Sequence, residues 1–239
     1  MTDFSITFTR KVELAGDMTI FYFEKPEGYA FKAGQWCFLT VPETGYQDER
    51  GLRRPFSIAS SPLEQDLIFA TKLSGSAMKK TMAGLEPGAT VSLGSPMGLL
   101  FLPAGVETPL IFLAGGVGIT PFRSMIRYVA DAPTEHTITL FYSSRTPEET
   151  PFLDELLTIS KSTPRITTAI TMTRATEGSH WDGLTGRLNP NMIKMHCNAW
   201  ERARYFIVGP TNMAEAMTRT LEELGIGRDR ITLELFAGS

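Results

Sequence analysis

The chain has 239 residues, of which 42% are hydrophobic and 21% are charged, a composition typical of a globular protein with one large or two small domains. Its formal net charge of −3 predicts no strong attraction to nucleic acid or to an anionic membrane surface. Two cysteines cannot supply a four-cysteine iron–sulfur cluster, and the three histidines lack the spacing of metal ligands, so we expect no metal site.

No apolar run in the sequence is long enough to cross a bilayer. Residues 1–5 lack the basic and apolar regions of a signal peptide. We therefore expect a cytoplasmic protein without a membrane span, and the sequence leaves its oligomeric state open.

The first hundred residues contain short β-branched and aromatic runs, separated by glycine and proline turns. One short helix, over 76–83 and followed by Gly84, interrupts them. Short strands with so little helix predict a closed antiparallel barrel. The predicted strands are 4–10, 18–24, 36–41, 55–59, 67–73 and 90–93.

Arg54, Phe56 and Ser57 lie where one of these strands, 55–59, leaves a loop. An arginine suits a pyrophosphate, an aromatic face suits a flavin ring, and a small hydroxyl suits the edge of that ring. Arg54 and Phe56 share one face of a regular strand, whereas Ser57 faces the other way unless the strand bends. An ordinary edge strand with a solvated arginine is the alternative interpretation.

Composition changes at residues 103–105, beyond which apolar strands alternate with amphipathic helices. This alternation predicts a doubly wound, five-stranded parallel sheet. In the helix predicted over 211–224, apolar residues repeat at helical spacing, and Gly225 follows at the C′ position. The predicted strands are 110–114, 137–142, 166–172, 205–208 and 231–235.

A glycine turn, residues 115–118, follows the first of these strands. Thr120 suits the N-cap and Pro121 the first position of the helix that comes next. Such a turn lets a phosphate approach the backbone, although isolated glycine turns are more often purely structural. Ser144 and Arg145 end the next strand, where they could meet a ribose 2′-phosphate, or Arg145 could simply be solvated.

Together these segments resemble the ferredoxin–NADP⁺ reductase superfamily of flavoproteins. The resemblance is carried by Arg54-Pro55-Phe56-Ser57, by Gly115-Gly116-Val117-Gly118-Ile119-Thr120-Pro121, by Gly209-Pro210 with Met213, and by Glu234 with Phe236. It implies two domains: an FAD-binding, N-terminal antiparallel Greek-key β-barrel at residues 1–103, and an NAD(P)-binding α/β domain at residues 104–239.

The resemblance also implies roles for individual residues. Ser57 would contact the flavin N5, and Glu234 would lie near the junction of the flavin and the nicotinamide, so both are predicted to be catalytic. Arg187 could bind phosphate or belong to a structured turn, and Phe236 could lie beside the flavin or close the core. The predicted FAD ligands are Arg54, Pro55, Phe56, Ser57, Ile58, Lys72, Ser76, Ala77, Met78, Lys79 and Phe236. The predicted NAD(P)H ligands are Gly115, Gly116, Gly118, Thr120, Pro121, Ser144, Arg145, Arg187, Gly209, Pro210 and Met213.

The implied reaction is hydride transfer from NAD(P)H, with a lean toward NADPH, to bound FAD, followed by single-electron transfer to an acceptor. The expected acceptor is a separate redox protein such as a ferredoxin. A diffusible acceptor (free flavin, quinone or ferric chelate) is one alternative. Another is a non-catalytic electron-transfer subunit, because Val208 stands where relatives often carry a cysteine.

Overall fold

The computed structural model describes residues 3–175 and 180–235. These residues form an antiparallel six-stranded sheet and a parallel six-stranded sheet, connected by the segment 94–109. In the described part of the chain, no helix combines the length and the apolar character needed to span a membrane.

The antiparallel sheet has the strand order β4-β3-β6-β1-β2-β5. Beyond β4, the Ala59 N–H donates to the Ile68 carbonyl of β5 at 2.8 Å, which joins the two edges of the sheet into a barrel. Since β6 lies between β3 and β1, the connections follow a Greek key, as predicted. The elements are β1 Phe4–Glu13, β2 Met18–Glu24, β3 Trp36–Thr40, β4 Arg53–Ser57, β5 Asp66–Lys72, α1 Ala77–Ala83 and β6 Thr90–Leu93.

Strand β4 begins and ends two residues earlier than the sequence predicted. Pairing with the β3 segment continues for one more bond, from the Ile58 N–H to the Gln35 carbonyl, and the Ala59 N–H then donates to β5 instead. The chain at 58–59 therefore leaves the regular ladder to close the barrel, although its residues have the composition of a strand.

The parallel sheet has the strand order β10-β9-β8-β7-β11-β12. The chain moves outward from β7 to β10 and then returns to the other side of β7, which is a doubly wound arrangement with its switch point between β7 and β11. The elements are β7 Leu110–Gly115, α2 Ile119–Asp131, β8 Ile138–Ser144, α3 Leu153–Ser162, β9 Ile166–Met172, β10 Leu184–Thr185, α4 Pro190–His196, β11 Arg204–Gly209, α5 Thr211–Glu223 and β12 Ile231–Leu235.

All five predicted strands of this sheet are present, and the two-residue strand β10 extends the sheet by one. Two residues are too short to show the alternation that identifies a strand in sequence. Helix α5 agrees with its prediction to within one residue, and Gly225 follows it with φ +81°, a left-handed conformation that favours glycine.

The barrel and the parallel sheet share a hydrophobic core. Phe112, Phe122 and Met125 of the parallel-sheet half lie in one buried cluster with Ile68 and Ala70 of β5. The barrel interior and the opposite face of the parallel sheet form two further clusters. The packing of β5 against this shared core fixes how the two sheets face each other.

Candidate functional site

A first cavity, of about 530 Å³, lies at the joint between the two sheets. It is bordered by β4, the loop before α1, the turn before α2 and the end of β12. Ten of the predicted site residues line it: Arg54, Pro55, Phe56, Ser57, Lys72, Ser76, Met78, Lys79, Thr120 and Glu234. Ile58 and Ala77 are buried and do not line it.

The pairing of β4 with β3 explains how one strand borders this cavity with both of its faces. Arg54 and Phe56 pair with buried core residues of β3, whereas Ser57 pairs with Trp36. Ser57 therefore has the opposite orientation, as the strand period predicted, yet it is only 7% exposed and lines the same cavity. The cavity extends around the end of β4, so Ser57 and Arg54 can both line it without a bulge in the strand.

Aromatic surface reaches the cavity from β3 as well as from β4. The Phe56 ring is 8% exposed and packs edge-on against Phe69 inside the barrel, with 6.1 Å between ring centroids. Trp36 and Phe38 also line the cavity, in edge-to-face contact at 5.3 Å. The sequence analysis missed these two rings, although their alternation with buried Cys37 and Leu39 could have identified them.

Cationic side chains dominate the charge of this cavity. Arg50, Arg54, Lys72 and Lys79 all line it. Burial lowers the pKa of Lys79, and the charges of the three other cations lower it further. Four cations within one cavity create a field that suits a polyanionic group such as a diphosphate.

Two polar atoms of this cavity are buried without a hydrogen-bond partner among the described residues, namely Arg54 Nη2 and Ser57 Oγ. Arg54 Nη1 donates to the carbonyls of Arg50 and Arg53, which hold the guanidinium in place, and an Asp48 carboxylate oxygen lies 3.5 Å from Nη2. Buried polar groups are normally paired, so the unpaired Nη2 and Oγ fit a ligand with a phosphate and a polar ring edge.

Asp48 is a further residue that the sequence analysis missed. Its carboxylate accepts the Ala77 N–H at 2.6 Å and the Arg50 N–H at 2.9 Å. These bonds, led by that from Ala77, lower the pKa of Asp48. Ser76 is the N-cap of α1, and its hydroxyl oxygen accepts the Lys79 N–H at 3.5 Å. Ala77 is one of the predicted FAD ligands, but its N–H is bonded to a carboxylate of the chain itself.

A second cavity, of about 560 Å³, lies at the carboxyl ends of β7, β8 and β11, beside the switch point of the parallel sheet. Ligands of doubly wound sheets bind at this position. Eight predicted residues line it: Gly115, Gly116, Gly118, Ser144, Arg145, Arg187, Pro210 and Met213. Gly209 and Pro121 are buried outside its lining, as is Val208.

The glycine turn differs from its prediction. Gly116–Gly118 form a 3₁₀ turn that leads directly into α2, so Gly118 is the N-cap, and the predicted N-cap Thr120 lies within the first helical turn. The Thr120 hydroxyl donates to the Val117 carbonyl at 2.9 Å. The prediction was wrong because the turn already has helical geometry, and Pro121 is tolerated in a first turn that needs no N–H.

One end of the second cavity carries charged and hydroxyl groups. Arg145 and Arg187 line it together with Ser144 and Thr173. Glu149 also lines it, with a carboxylate oxygen 3.9 Å from the Arg145 guanidinium. This end combines two cations with one carboxylate, so it can bind an anionic group of a sugar phosphate.

The two cavities meet at Lys72 and Val117, which line both. Thr120 and Glu234 lie on the side of the first cavity. Burial raises the pKa of Glu234, which favours its neutral, proton-carrying form. The other C-terminal residue of the prediction, Phe236, lies outside the described residues.

Residues 112–219 match the family model described as the oxidoreductase NAD-binding domain. The chain is 30% identical over 224 residues to ferredoxin–NADP reductase B of Sorangium cellulosum, covering 90% of this chain and 89% of that protein. It is 28% identical to flavohemoprotein A of Dictyostelium discoideum, with 95% of this chain aligned but only 58% of that longer protein.

A solved structure covers nearly the whole chain. It is the structure of a ferredoxin NADP⁺ reductase from Neisseria gonorrhoeae with bound FAD and NADP. That protein is 26% identical to this chain, and the two superpose with a TM-score of 0.79. The match covers 98% of this chain and 99% of that one.

Proposed function

Because this chain belongs to the ferredoxin–NADP⁺ reductase family of oxidoreductases, we propose that it binds FAD in the first cavity and NAD(P)H in the second, and that it delivers electrons to a redox protein such as a ferredoxin. The observation that carries this proposal is the meeting of the two cavities at Lys72 and Val117. When bound, FAD would accept hydride from NAD(P)H and release single electrons to the acceptor.

In this proposal, residues 1–103 form the FAD-binding domain and residues 104–239 the NAD(P)-binding domain. Strand β6 ends at Leu93 and β7 begins at Leu110, which is consistent with a boundary between them.

The residues of the first cavity would hold FAD through its diphosphate and its ring. Arg54 binds the diphosphate through Nη2, the guanidinium nitrogen that has no hydrogen-bond partner among the described residues and lies 3.5 Å from an Asp48 carboxylate oxygen. Lys72 and Lys79 add positive charge. Phe56 supplies apolar surface to the ring, and Ser57 Oγ bonds the polar edge of the ring.

Ile58 and Ala77 would contribute through their backbone, because both side chains are buried and neither lines the cavity. Ser76 and Met78 complete the wall beside α1, and Pro55 completes the wall beside β4.

The residues of the second cavity would hold NAD(P)H. The glycine turn at Gly115, Gly116 and Gly118 lets the dinucleotide phosphates approach the backbone. Ser144, Arg145 and Arg187 bind the ribose end, which favours NADPH as the donor. Pro210 and Met213 border the opposite wall, with Gly209 and Pro121 shaping the backbone behind it.

Glu234 and Thr120 lie near the junction of the cavities, where the nicotinamide and the flavin ring would meet. Glu234 is proposed as a catalytic carboxyl group beside the flavin, and burial raises its pKa. Ser57, which lines the same cavity as Glu234, is the proposed catalytic hydroxyl.

Basic residues around the first cavity support a protein acceptor with an acidic surface. Arg50 and Lys79 line the cavity, and Arg53 stacks over Phe38 at 4.4 Å from its ring centroid. Lys80 is exposed beside them. Complementary charge would steer an acidic redox protein toward the flavin edge.

The proposal is tested by the visible spectrum of the purified protein, by chromatography of the released cofactor, and by anaerobic mixing with NADH and with NADPH. We expect FAD, and we expect its absorbance to bleach, faster with NADPH. A protein that retains no flavin even in excess FAD would overturn the proposal, and a flavin that neither donor bleaches would indicate a non-catalytic subunit.

The acceptor is tested by steady-state reduction of a ferredoxin against free flavin, a quinone and a ferric chelate at matched concentrations. We expect the ferredoxin rate to fall with added salt because the docking is electrostatic. If the small acceptors are reduced faster and without salt dependence, the redox-protein assignment is wrong.

A further inference from the structure

Arg123, a charged residue of α2, is only 4% exposed and makes five hydrogen bonds. Its guanidinium makes bidentate contacts with Glu64, at 2.6 and 2.9 Å, and with Glu155, at 3.0 and 2.6 Å. It also donates to the Ala59 carbonyl at 3.0 Å. Such a fully bonded buried cation holds its surroundings in one geometry, because any shift leaves charge unpaired.

The partners of Arg123 belong to different halves of the molecule. Glu155 is on α3, which packs in the parallel-sheet half with α2. Glu64 and Ala59 belong to the connection between β4 and β5 of the barrel. The guanidinium therefore makes one ion pair within its own half and a second ion pair across the joint.

Ser124, the next residue of α2, adds hydrogen bonds between the two halves. The Ser124 hydroxyl donates to the Ser60 carbonyl at 2.6 Å and accepts the Gly34 N–H at 3.3 Å. All three residues lie on barrel segments or on α2, so Arg123 and Ser124 together with Ala59, Ser60 and Glu64 form a clasp across the joint.

The clasp connects two segments that border the first cavity. Ala59 comes two residues after Ser57, and Arg123 comes three residues, about one helical turn, after Thr120. Ser57 and Thr120 both line the first cavity. The clasp thus holds the segment after β4 against the first turns of α2.

We propose that Arg123 and Glu64 are positioning residues that set the separation between the flavin and the nicotinamide across the joint. The proposal rests on the proposed function, because it concerns how closely the two cofactors approach. A displacement of about 1 Å between reacting groups can lower a rate about a hundredfold. The clasp therefore acts on the hydride-transfer rate, whereas each cofactor keeps its own contacts within its cavity.

Glu64→Gln and Glu155→Gln form a matched pair of variants for the test, since each weakens one of the two ion pairs of the same guanidinium. The amide oxygen introduced by Glu64→Gln can still accept the Ser61 N–H that the carboxylate accepts now. We expect Glu64→Gln to slow flavin reduction at saturating NAD(P)H by about tenfold or more, with KM and FAD affinity within about twofold. Glu155→Gln should leave that rate within about twofold.

Arg123→Lys and Arg127→Gln complete the set. Lysine keeps the positive charge but cannot make the bidentate contacts, so flavin reduction in Arg123→Lys should slow as much as in Glu64→Gln. Arg127 lies on the same helix, is more exposed, and pairs with Asp131, so its replacement should change nothing measurable.

A measurement on the FAD-free protein tests whether the variants loosen the clasp itself. Hydrogen–deuterium exchange of the FAD-free protein should accelerate over residues 58–68 and at Gly34 in Glu64→Gln, and less so in Glu155→Gln. Denaturant midpoints of the two variants should fall by similar amounts, which separates positioning from general stability.

The inference is overturned if the two glutamate variants slow flavin reduction equally, or if Glu64→Gln reduces its flavin at the wild-type rate. Either outcome leaves the proposed function intact, provided that the wild-type protein is bleached by NADH or NADPH. A wild-type protein that is not bleached would instead refute the proposed function.

Discussion

Arg54 is the side chain that most directly supports a diphosphate site, because it lines the first cavity with a buried Nη2 that has no hydrogen-bond partner among the described residues. Replacement by alanine removes the buried Nη2 and its charge, and a charge-assisted hydrogen bond is worth about 1.5–3 kcal/mol. We expect Arg54→Ala to weaken FAD binding about 10- to 100-fold and to purify largely colourless, as titration of the flavin-free protein with FAD would measure.

The neighbouring Arg53 is the matched control, because its exposed side chain stacks over Phe38 on the other face of the strand. Arg53→Ala should keep its colour. Full flavin occupancy in Arg54→Ala would remove Arg54 from the site.

Lys79 illustrates a conflict between stability and binding. Its pKa is lowered by burial and by Arg50, Arg54 and Lys72, so its charge destabilises the flavin-free protein. We expect Lys79→Gln to raise the stability of the flavin-free protein by about 0.5–1 kcal/mol and to weaken FAD binding about tenfold. Urea denaturation and FAD titration measure the two effects.

The stabilisation by Lys79→Gln should depend on pH. A lysine whose folded pKa is depressed costs stability in full below that pKa, and the cost disappears as the pH rises toward the unfolded value of about 10.4. The advantage of the glutamine should therefore be present at pH 7 and shrink toward pH 10. Lys80→Gln, at an exposed neighbour, should show neither effect, and a pH-independent gain in Lys79→Gln would argue against charge repulsion.

At the residue scale, the sequence predicted the contacts that lie close together along the chain. Arg54 and Ser57 are three residues apart and line one cavity, as expected. Asp48 was missed because its bond to Ala77 spans 29 residues and depends on how a loop folds back. The alternation along β3 could have identified Trp36 as a ring outside the barrel core, but its proximity to Ser57 is set by the register of β3 against β4.

At the element scale, the start of α2 depends on Gly118. A methyl group there would come within 2.2 Å of the Val208 carbonyl oxygen and 2.9 Å of Gly209 Cα, both backbone atoms that cannot move aside cheaply. We expect Gly118→Ala to lower the free energy of unfolding by about 1–3 kcal/mol and to weaken NAD(P)H binding, because the turn before α2 must move away from β11. Urea denaturation and NADPH titration measure these changes.

Gly75 is the control for this substitution, since a methyl group there meets nothing within 4 Å. Gly75→Ala should change stability by no more than about 0.5 kcal/mol. Equal effects of the two substitutions would show that close packing at Gly118 is not the cause.

Elements with a strong internal pattern were predictable, whereas those defined by their neighbours were not. Helix α5 carries apolar residues at helical spacing and a glycine at its end, so its bounds were predicted almost completely. Strand β10 exists through two pairs with β9, which no local pattern records. Thr120 has the residue type of an N-cap, but the 3₁₀ turn before it had already begun the helix.

At the scale of the whole molecule, the relation between the halves is decided by contacts far apart in sequence. The Arg123–Glu64 pair spans 59 residues, and the shared core joins Ile68 to Phe122. Neither contact shows in composition, which changes at 103–105 and suggested two separate units. The boundary in sequence is thus not a boundary in packing.

The shared core leads to the expectation that the flavin-free protein unfolds in one cooperative transition rather than domain by domain. The barrel buries Ile68, Ala70 and Ala59 against Phe122 and Met125 of the other half, so neither half keeps its buried surface once the other has unfolded. Unfolding of one half would in addition break the Arg123–Glu64 ion pair, which leaves Glu64 without its cation or Arg123 with Glu155 alone.

The three tryptophans can test this expectation, because Trp36 is in the barrel while Trp181 and Trp200 are in the other half. A Trp181→Phe, Trp200→Phe variant reports on the barrel alone, and Trp36→Phe reports on the parallel-sheet half alone. Their urea midpoints, each referred to far-UV circular dichroism of the same variant, should coincide. If the barrel and the parallel-sheet half unfold at different urea concentrations in these variants, the halves fold independently, and the cluster that contains Ile68 and Phe122 does not couple their stabilities.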